Sequence, residues 1–254
     1  MIKKRLRKYA AIAAMTVVSA AFSLVACAIE PKNPTGKITM TTKAAKVEFH
    51  VVGTGDITID WGDGKRGNQK DAFYDEPFKQ FVFTHQYSGA TLRYIAINGK
   101  ITRLSCSNNE LTALDVSGST ELTILECGHN QLTGLDVSKN TALEDLRCAN
   151  NQLTGLDLSK NTALRGFTCS DNVLTSLTLS SANTALGNIN CTNNRLTGFA
   201  LNELFRALPD KTTTKGYEEF PEMYHGFIRM IGNPGDYDCD WNIATEKGWR
   251  FIVR

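Results

Sequence analysis

The chain is 254 residues long, 42% hydrophobic and 21% charged, with a formal net charge of +2. Five of its bases, Lys3, Lys4, Arg5, Arg7 and Lys8, crowd into the first 26 residues with no acid beside them; without them 23 basic residues face 26 acidic ones. A balance this near neutrality, with no basic stripe and no Gly-rich phosphate loop, excludes nucleic acid as a partner.

The basic start runs into an apolar stretch from Ala10 to Leu24 and then small residues before Cys27, the layout of a secretory signal peptide. That stretch is short of the ~20 residues a membrane-spanning helix needs. Leu24-Val25-Ala26-Cys27 resembles the lipobox of bacterial lipoproteins, which implies cleavage before Cys27 and lipid on its sulfur and new amino terminus. On that reading residues 1–26 are leader and residues 27–36, with Pro31, Asn33 and Pro34, are lipid anchor and tether. Ala28 stands where a retention Asp would, so the resemblance implies an anchor in the outer membrane, facing the periplasm or the cell surface.

From Lys37 the pattern alternates. Ile38-Thr39-Met40-Thr41, Val47 to Val51, Ile57 to Trp61, Phe81 to His85 and Leu92 to Ile97 place apolar residues at every second position, which predicts half-buried strands. The stretch from Lys65 to Lys79 is polar and reads as irregular. Trp61-Gly62-Asp63-Gly64 followed by His85-Gln86-Tyr87-Ser88-Gly89 is similar to polycystic-kidney-disease-type (PKD) modules. The resemblance implies a small immunoglobulin-like β-sandwich over residues 37–100, which would also cover the open end of the repeat array that begins at residue 101.

Residues 101–208 repeat one line every 21 or 22 residues: Leu-x-Cys-x-x-Asn-x-Leu. Its rungs are Leu104, Leu125, Leu146, Phe167 and Ile189, with Cys106, Cys127, Cys148, Cys169 and Cys191 two positions on and Asn109, Asn130, Asn151, Asn172 and Asn194 three further. A unit this short cannot bury its apolar residues alone, so the units must stack into a solenoid. With the phrase Leu-Thr-x-Leu-Asp-Val-Ser at residues 111–117 and 132–138, the array resembles short bacterial leucine-rich repeats. That resemblance implies an α/β-type solenoid with parallel strands. Leu201, Leu204, Phe205 and Leu208 then predict an amphipathic helix stopped by Pro209. A strand near Phe227, a helix over Trp241 to Lys247 and a last strand from Trp249 complete an α+β cap over residues 209–254.

Chemistry is sparse. Cysteines in register on strands ~4.8 Å apart sit beyond the Cβ separation of a relaxed disulfide, so the row reads as buried small hydrophobes. The Asn row reads as scaffold, bonding loop backbone. No His shares the Cys row as a zinc site would require. Asp236, Asp238 and Asp240 lack the Gly and Glu of a calcium loop and suit the start of a helix, and Asp60 with Asp63 is first of all a turn. His50, His85, His129 and His225 are scattered, and no nucleophile converges with them. The expectation is therefore a protein without catalytic activity, cofactor or metal.

Its binding surface should be the concave strand face, where residues flanking each inward Leu and Cys point outward. These are Arg103, Ser105 and Ser107, Glu126, Asp145 and Arg147, Thr168 and Ser170, Asn190 and Thr192, with His129 at the edge. Gly128 and Ala149 continue a row of small residues, and Ile124 is the apolar exception. The expected function is an envelope-anchored recognition protein that takes a protein or glycan on this face. The alternative is an accessory subunit of an envelope complex without a soluble ligand.

Overall fold

The computed structural model describes residues 37–212 and 226–253. The expected leader, Cys27 and the tether lie outside them, as do residues 213–216 of the polar loop after the first predicted helix.

The first strand, β1 (Ile38–Thr42), buries Ile38, Met40 and Thr42 as its alternation requires. The runs at Val47 and Ile57 belong to one long strand, β2 (Lys46–Asp60). Between them the chain bends instead of ending: its register against β6 (Arg93–Ser105) slips at Val52/Gly53 and again at Thr54/Thr58. Such slips mark bulges. The expected irregular stretch holds β3 (Arg66–Asn68), a 3-10 turn at Gln69–Asp71 and β4 (Phe73–Asp75), which pair with β2 and with β5 (Gln80–Gln86). Strands of three mostly exposed residues carry no readable alternation, so pairing alone defines them.

β6 carries the sheet into the repeats. Its first part pairs with β1, most of its length with β2, and Arg103–Ser105 pair in parallel with β8 (Ile124–Glu126). The junction at residue 100 thus falls inside a continuous strand, and β2 occupies the edge that the first rung would otherwise leave open.

Beyond β8 the sheet continues through β9 (Asp145–Arg147), β11 (Gly166–Thr168), β13 (Asn188–Asn190), β14 (Gly226–Arg229) and β15 (Trp249–Phe251). Register aligns Leu104, Leu125, Leu146, Phe167, Ile189 and Ile228 in one buried column. Across the core a second column, Leu114, Leu135, Leu156 and Leu177, lines the opposite side, where β7 (Leu111–Asp115) pairs with β1, and β10 (Gly155–Asp157) with β12 (Ser176–Thr178). On this side Asp115, Asp136 and Asp157 each accept from the N–H two residues on, at Ser117, Ser138 and Ser159, at 2.9 Å. Side-chain turns of this kind bend the chain within two residues and leave no room for a helix. The expected α/β solenoid is therefore a β-solenoid of about six turns, and its repeats contain no helix before Gly198.

The helix α1 (Gly198–Ala207) comes after the fifth rung, capped by Thr197 and burying Leu201, Leu204 and Phe205. Its last carbonyls accept from Lys247 Nζ, at 3.3 Å for Phe205 and 2.9 Å for Leu208. A cation at a helix C-terminus offsets the dipole. The short α2 (Asn242–Thr245) starts where Asp240 accepts from the Asn242 N–H at 3.0 Å, and among the described residues Asp236, Asp238 and Asp240 form no metal-holding group.

Candidate functional site

The scaffold that aims the sheet face is a pair of asparagine ladders. In the first, each carboxamide oxygen accepts from the backbone of the preceding rung: Asn151 from Leu132, Asn172 from Leu153 and Asn194 from Leu174, at 2.9 to 3.0 Å. Each amide in turn donates to cysteine carbonyls, Asn151 to Cys127 at 3.0 Å and to Cys148 at 3.1 Å. The residue before each Asn is left-handed, with φ between 53° and 60° at Asn108, His129, Asn150, Asp171 and Asn193. Asn, Asp and His tolerate that conformation best after glycine. Asn109 ends the ladder by exchanging bonds of 2.8 and 2.9 Å with the backbone of Glu48, which ties β2 to the first rung.

A second ladder escaped the sequence reading. Asn140, Asn161 and Asn183 are fully buried on the far side of each turn, where Asn140 donates to Val116 and Ser119, and Asn161 to Val137 and Asn140. The readable signal is the phrase Ser-x-Asn-Thr-Ala-Leu at residues 138–143, 159–164 and 181–186. Missed too was a sixth rung: Ile228, Met230 and Asn233 repeat the Leu-x-Cys-x-x-Asn spacing, and Asn233 accepts from the Leu196 N–H at 3.0 Å. Gly232 takes the left-handed slot there.

The five ladder cysteines are free and wholly buried. Burial pushes the thiols of Cys106, Cys148 and Cys191 up to about 12, and those of Cys127 and Cys169 well above their usual range. Thiols so far from ionisation are poor nucleophiles.

Register brings the predicted outward residues together in two rows. Arg103, Ile124, Asp145, Gly166, Asn188 and Phe227 form one; Ser105, Glu126, Arg147, Thr168, Asn190 and Arg229 form the other. The central charges are not independent of each other. Glu126 Oε1 receives Arg103 Nη2 at 2.9 Å and Arg147 Nη1 at 3.3 Å, while Arg147 Nη2 reaches Asp145 at 2.8 Å. Just outside the rows Arg165 lies 3.2 Å from Glu144. Ile124, Asp145, Arg147, Phe167 and Asn188 line an open groove of about 510 Å³.

Not every predicted contact residue is available. Ser170 is 6% exposed, and Gly128 in the same row is also buried. Adjacent turns close over this row: a Cβ on Gly128 would stand 3.1 Å from the Ala149 carbonyl oxygen. Small residues here serve close packing of turns, which removes Ser170 from the exposed set; Ser107 and Thr192 stay half-buried, and His129 is an exposed turn residue. The reading also missed Phe227 and Arg229, because β14 is separated from the fifth rung by a long excursion, and it left out Asn188, which flanks the inward Ile189 on that rung.

At the other end of the sheet His50 lies level with Ser105, beside a groove of about 360 Å³ lined also by Glu48, Ser107 and Asn108. The His50 ring, 3.2 Å away, holds the Glu48 carboxyl below its usual range against the opposing effect of burial. Trp61 and His85 stack at 4.6 Å, Tyr87 Oη donates to the Trp61 carbonyl at 2.8 Å, and Asp63 sits 2.8 Å from the His85 ring. Burial raises the Asp63 pKa, but the bonds from His85 and the Lys65 N–H outweigh it, and the net shift is downward. A buried aromatic stack with its carboxylate anchored this way closes the turn at Gly62-Asp63-Gly64.

Among the described residues no helix is long and apolar enough to cross a membrane. No protein-family model matches the chain, and no curated protein does. Similar solved structures include the leucine-rich repeat domain of APL1B, at 18% identity and TM-score 0.46 over 61% of this chain and 41% of that one. The functional domain of InlJ from Listeria monocytogenes, which includes a cysteine ladder, is 31% identical with TM-score 0.35 over 57% and 37%. An internalin, inlF, from Listeria monocytogenes is 17% identical with TM-score 0.31 over 52% and 48%. The matched part is less than half of each of those chains.

Proposed function

We propose that the protein is an envelope-anchored recognition protein that binds a protein or a glycan on the outward face of its parallel sheet. The observation that carries this reading is the face itself: two registered rows of mostly polar side chains across six rungs, with a groove between Ile124 and Asn188. Patterned polar surfaces on stacked repeats suit recognition of extended partners. The cysteines beneath the face are buried, with their thiols pushed up to about 12 at Cys106 and Cys148, and serve as packing.

The anchor rests on Leu24-Val25-Ala26-Cys27, with the outer membrane as its place and Cys27 as the lipidated residue. Residues 37–100 are read as a PKD-like module on the Trp61, Asp63, His85 and Tyr87 cluster, and residues 209–254 as the cap. Capture of partners from envelope extracts by the full-length protein tests the function. A partner retained by the wild type and lost on Arg147→Glu supports it; retention by every face variant places binding elsewhere.

A further inference from the structure

The outward row of the parallel sheet does not stop at the first rung. Ser105 on β6 is level with His50 on β2, His50 with Val82 on β5, and Val82 with Phe73 on β4. Partners in register share a face. The neighbouring Phe81 packs against the core, so alternation sends Val82 to the other side, with the outward row. Phe73, Glu126 and Arg147 therefore stand on one surface, Phe73 lying five strand spacings from Arg147, about 24 Å along the sheet.

The two ends of this surface differ in chemistry. At the solenoid end the charges engage one another, Arg103 and Arg147 on Glu126 and Arg147 also on Asp145. On β2 Glu48 is met by Lys46 at 3.6 Å, His50 at 3.2 Å and the Thr84 hydroxyl at 3.3 Å. The far end is apolar. Phe73 is 70% exposed, Val82 opposite it is half-buried, and half-buried Val52 stands two residues along β2 from His50, diagonal to Val82 and level with Arg103. An open aromatic ring beside two branched aliphatic side chains is a patch rather than a scattered surface residue. Between the ends lies the polar groove of about 360 Å³ at His50, Ser105 and Ser107.

A partner matched to this surface carries a bulky apolar side chain at one end and uncharged hydrogen-bonding groups behind it. A flat sugar ring finds a single aromatic face here, whereas an apolar side chain packs against all three residues, so a polypeptide fits better. Taking the sheet-face reading as its basis, we infer that the recognition face extends across β2, β5 and β4 and takes an uncharged protein segment laid across the strands. Its apolar anchor sits on Phe73, Val82 and Val52. About seven extended residues cover the distance from Phe73 to Arg147. Because the charges of this surface are already paired, binding depends little on ionic strength.

Random peptides displayed on phage are selected on the full-length protein, and enriched sequences are synthesised and titrated by fluorescence anisotropy. The expected consensus has an aromatic or aliphatic anchor and no net charge, with similar affinity at low and high salt. Phe73→Ser should weaken binding about tenfold, while Phe73→Leu, which keeps an apolar contact, retains most of it. Val52→Lys, which sets a charge into the same patch from another strand, should weaken it too, and thermal melts check that each variant folds. Phe199→Ser removes a similarly exposed ring from α1 and should change nothing. No enriched peptide, a charged consensus, or binding indifferent to Phe73→Ser and Val52→Lys overturns the inference. Equal loss on Phe199→Ser overturns it as nonspecific adhesion. Neutral oligosaccharides that bind in place of peptides and are lost on Phe73→Ser overturn it as well and assign a glycan. If the envelope partner is lost on Arg147→Glu yet kept on Phe73→Ser, the sheet-face reading stands and this extension alone falls.

Discussion

The carboxamide of Asn130 joins two turns: its oxygen accepts from the backbone N–H groups of both Asn109 and Leu111, at 3.0 Å each, one full repeat earlier. Its amide donates to the carbonyls of Cys106 and Cys127 at 3.1 and 3.0 Å. One side chain therefore satisfies the backbone that the solenoid bend leaves unpaired on two rungs.

Asn151→Ala should destabilise the protein by about 1 to 3 kcal/mol, since it orphans the buried Leu132 N–H and removes one of the two amide donors from each of the Cys127 and Cys148 carbonyls. Asn140→Ala should cost less. Its amide serves Val116 and Ser119, but its carboxamide oxygen has no partner to abandon. Urea denaturation monitored by circular dichroism compares the two, and equal losses would mean that the ladders are not distinguished by their acceptor bonds.

The buried thiols set an alkaline limit. Their pKa values in the fold lie above the ordinary value of 9.0, about 12 at Cys148 and Cys191. The stability they contribute is thus complete below pH 9 and is lost as pH rises from there towards 12. Each thiol withdraws about 1.4 kcal/mol per pH unit in that window. Thermal melts between pH 8 and pH 11, with wild type against Cys148→Ser, measure the slope, which should be smaller in the variant.

Alkylation gives a second reading of the same row. Native protein should react slowly at all five ladder cysteines and quickly once denatured. Cys148→Ala should cost about 1 to 2 kcal/mol through the void it leaves. Rapid labelling of Cys127 or Cys169 in the native state would contradict their burial.

Lipid at Cys27 is expected from the sequence layout. Intact mass of membrane-purified protein should show loss of residues 1–26 and a gain of acyl mass. Cys27→Ala should leave the membrane fraction; an unchanged mass shift in that variant would refute the assignment.

Arg147→Glu places a third carboxylate beside Glu126 and Asp145 and breaks both of its ion pairs. The stability change should be small, within about 1 kcal/mol, because exposed pairs contribute little. Capture of a face-bound partner should fall about tenfold, while Lys139→Glu and Lys160→Glu, on turns across the core, leave it unchanged.

Periodicity alone determined the core columns and the parallel stack, because five in-phase copies of Leu-x-Cys-x-x-Asn leave one arrangement that buries every Leu and Cys together. The same alternation placed Arg103, Glu126, Asp145 and Arg147 on one face. Tertiary structure decided the rest. The sixth rung at Ile228 and the arginine beside it joined the sheet across an excursion that no repeat period spans. Pairing of Arg147 with Glu126, 21 residues away, depends on side chains meeting across adjacent strands, and its pairing with Asp145 on the same strand completes the cluster. Ser170 and Gly128 were withdrawn from solvent by the close approach of neighbouring turns, a distance that alternation within one strand does not contain.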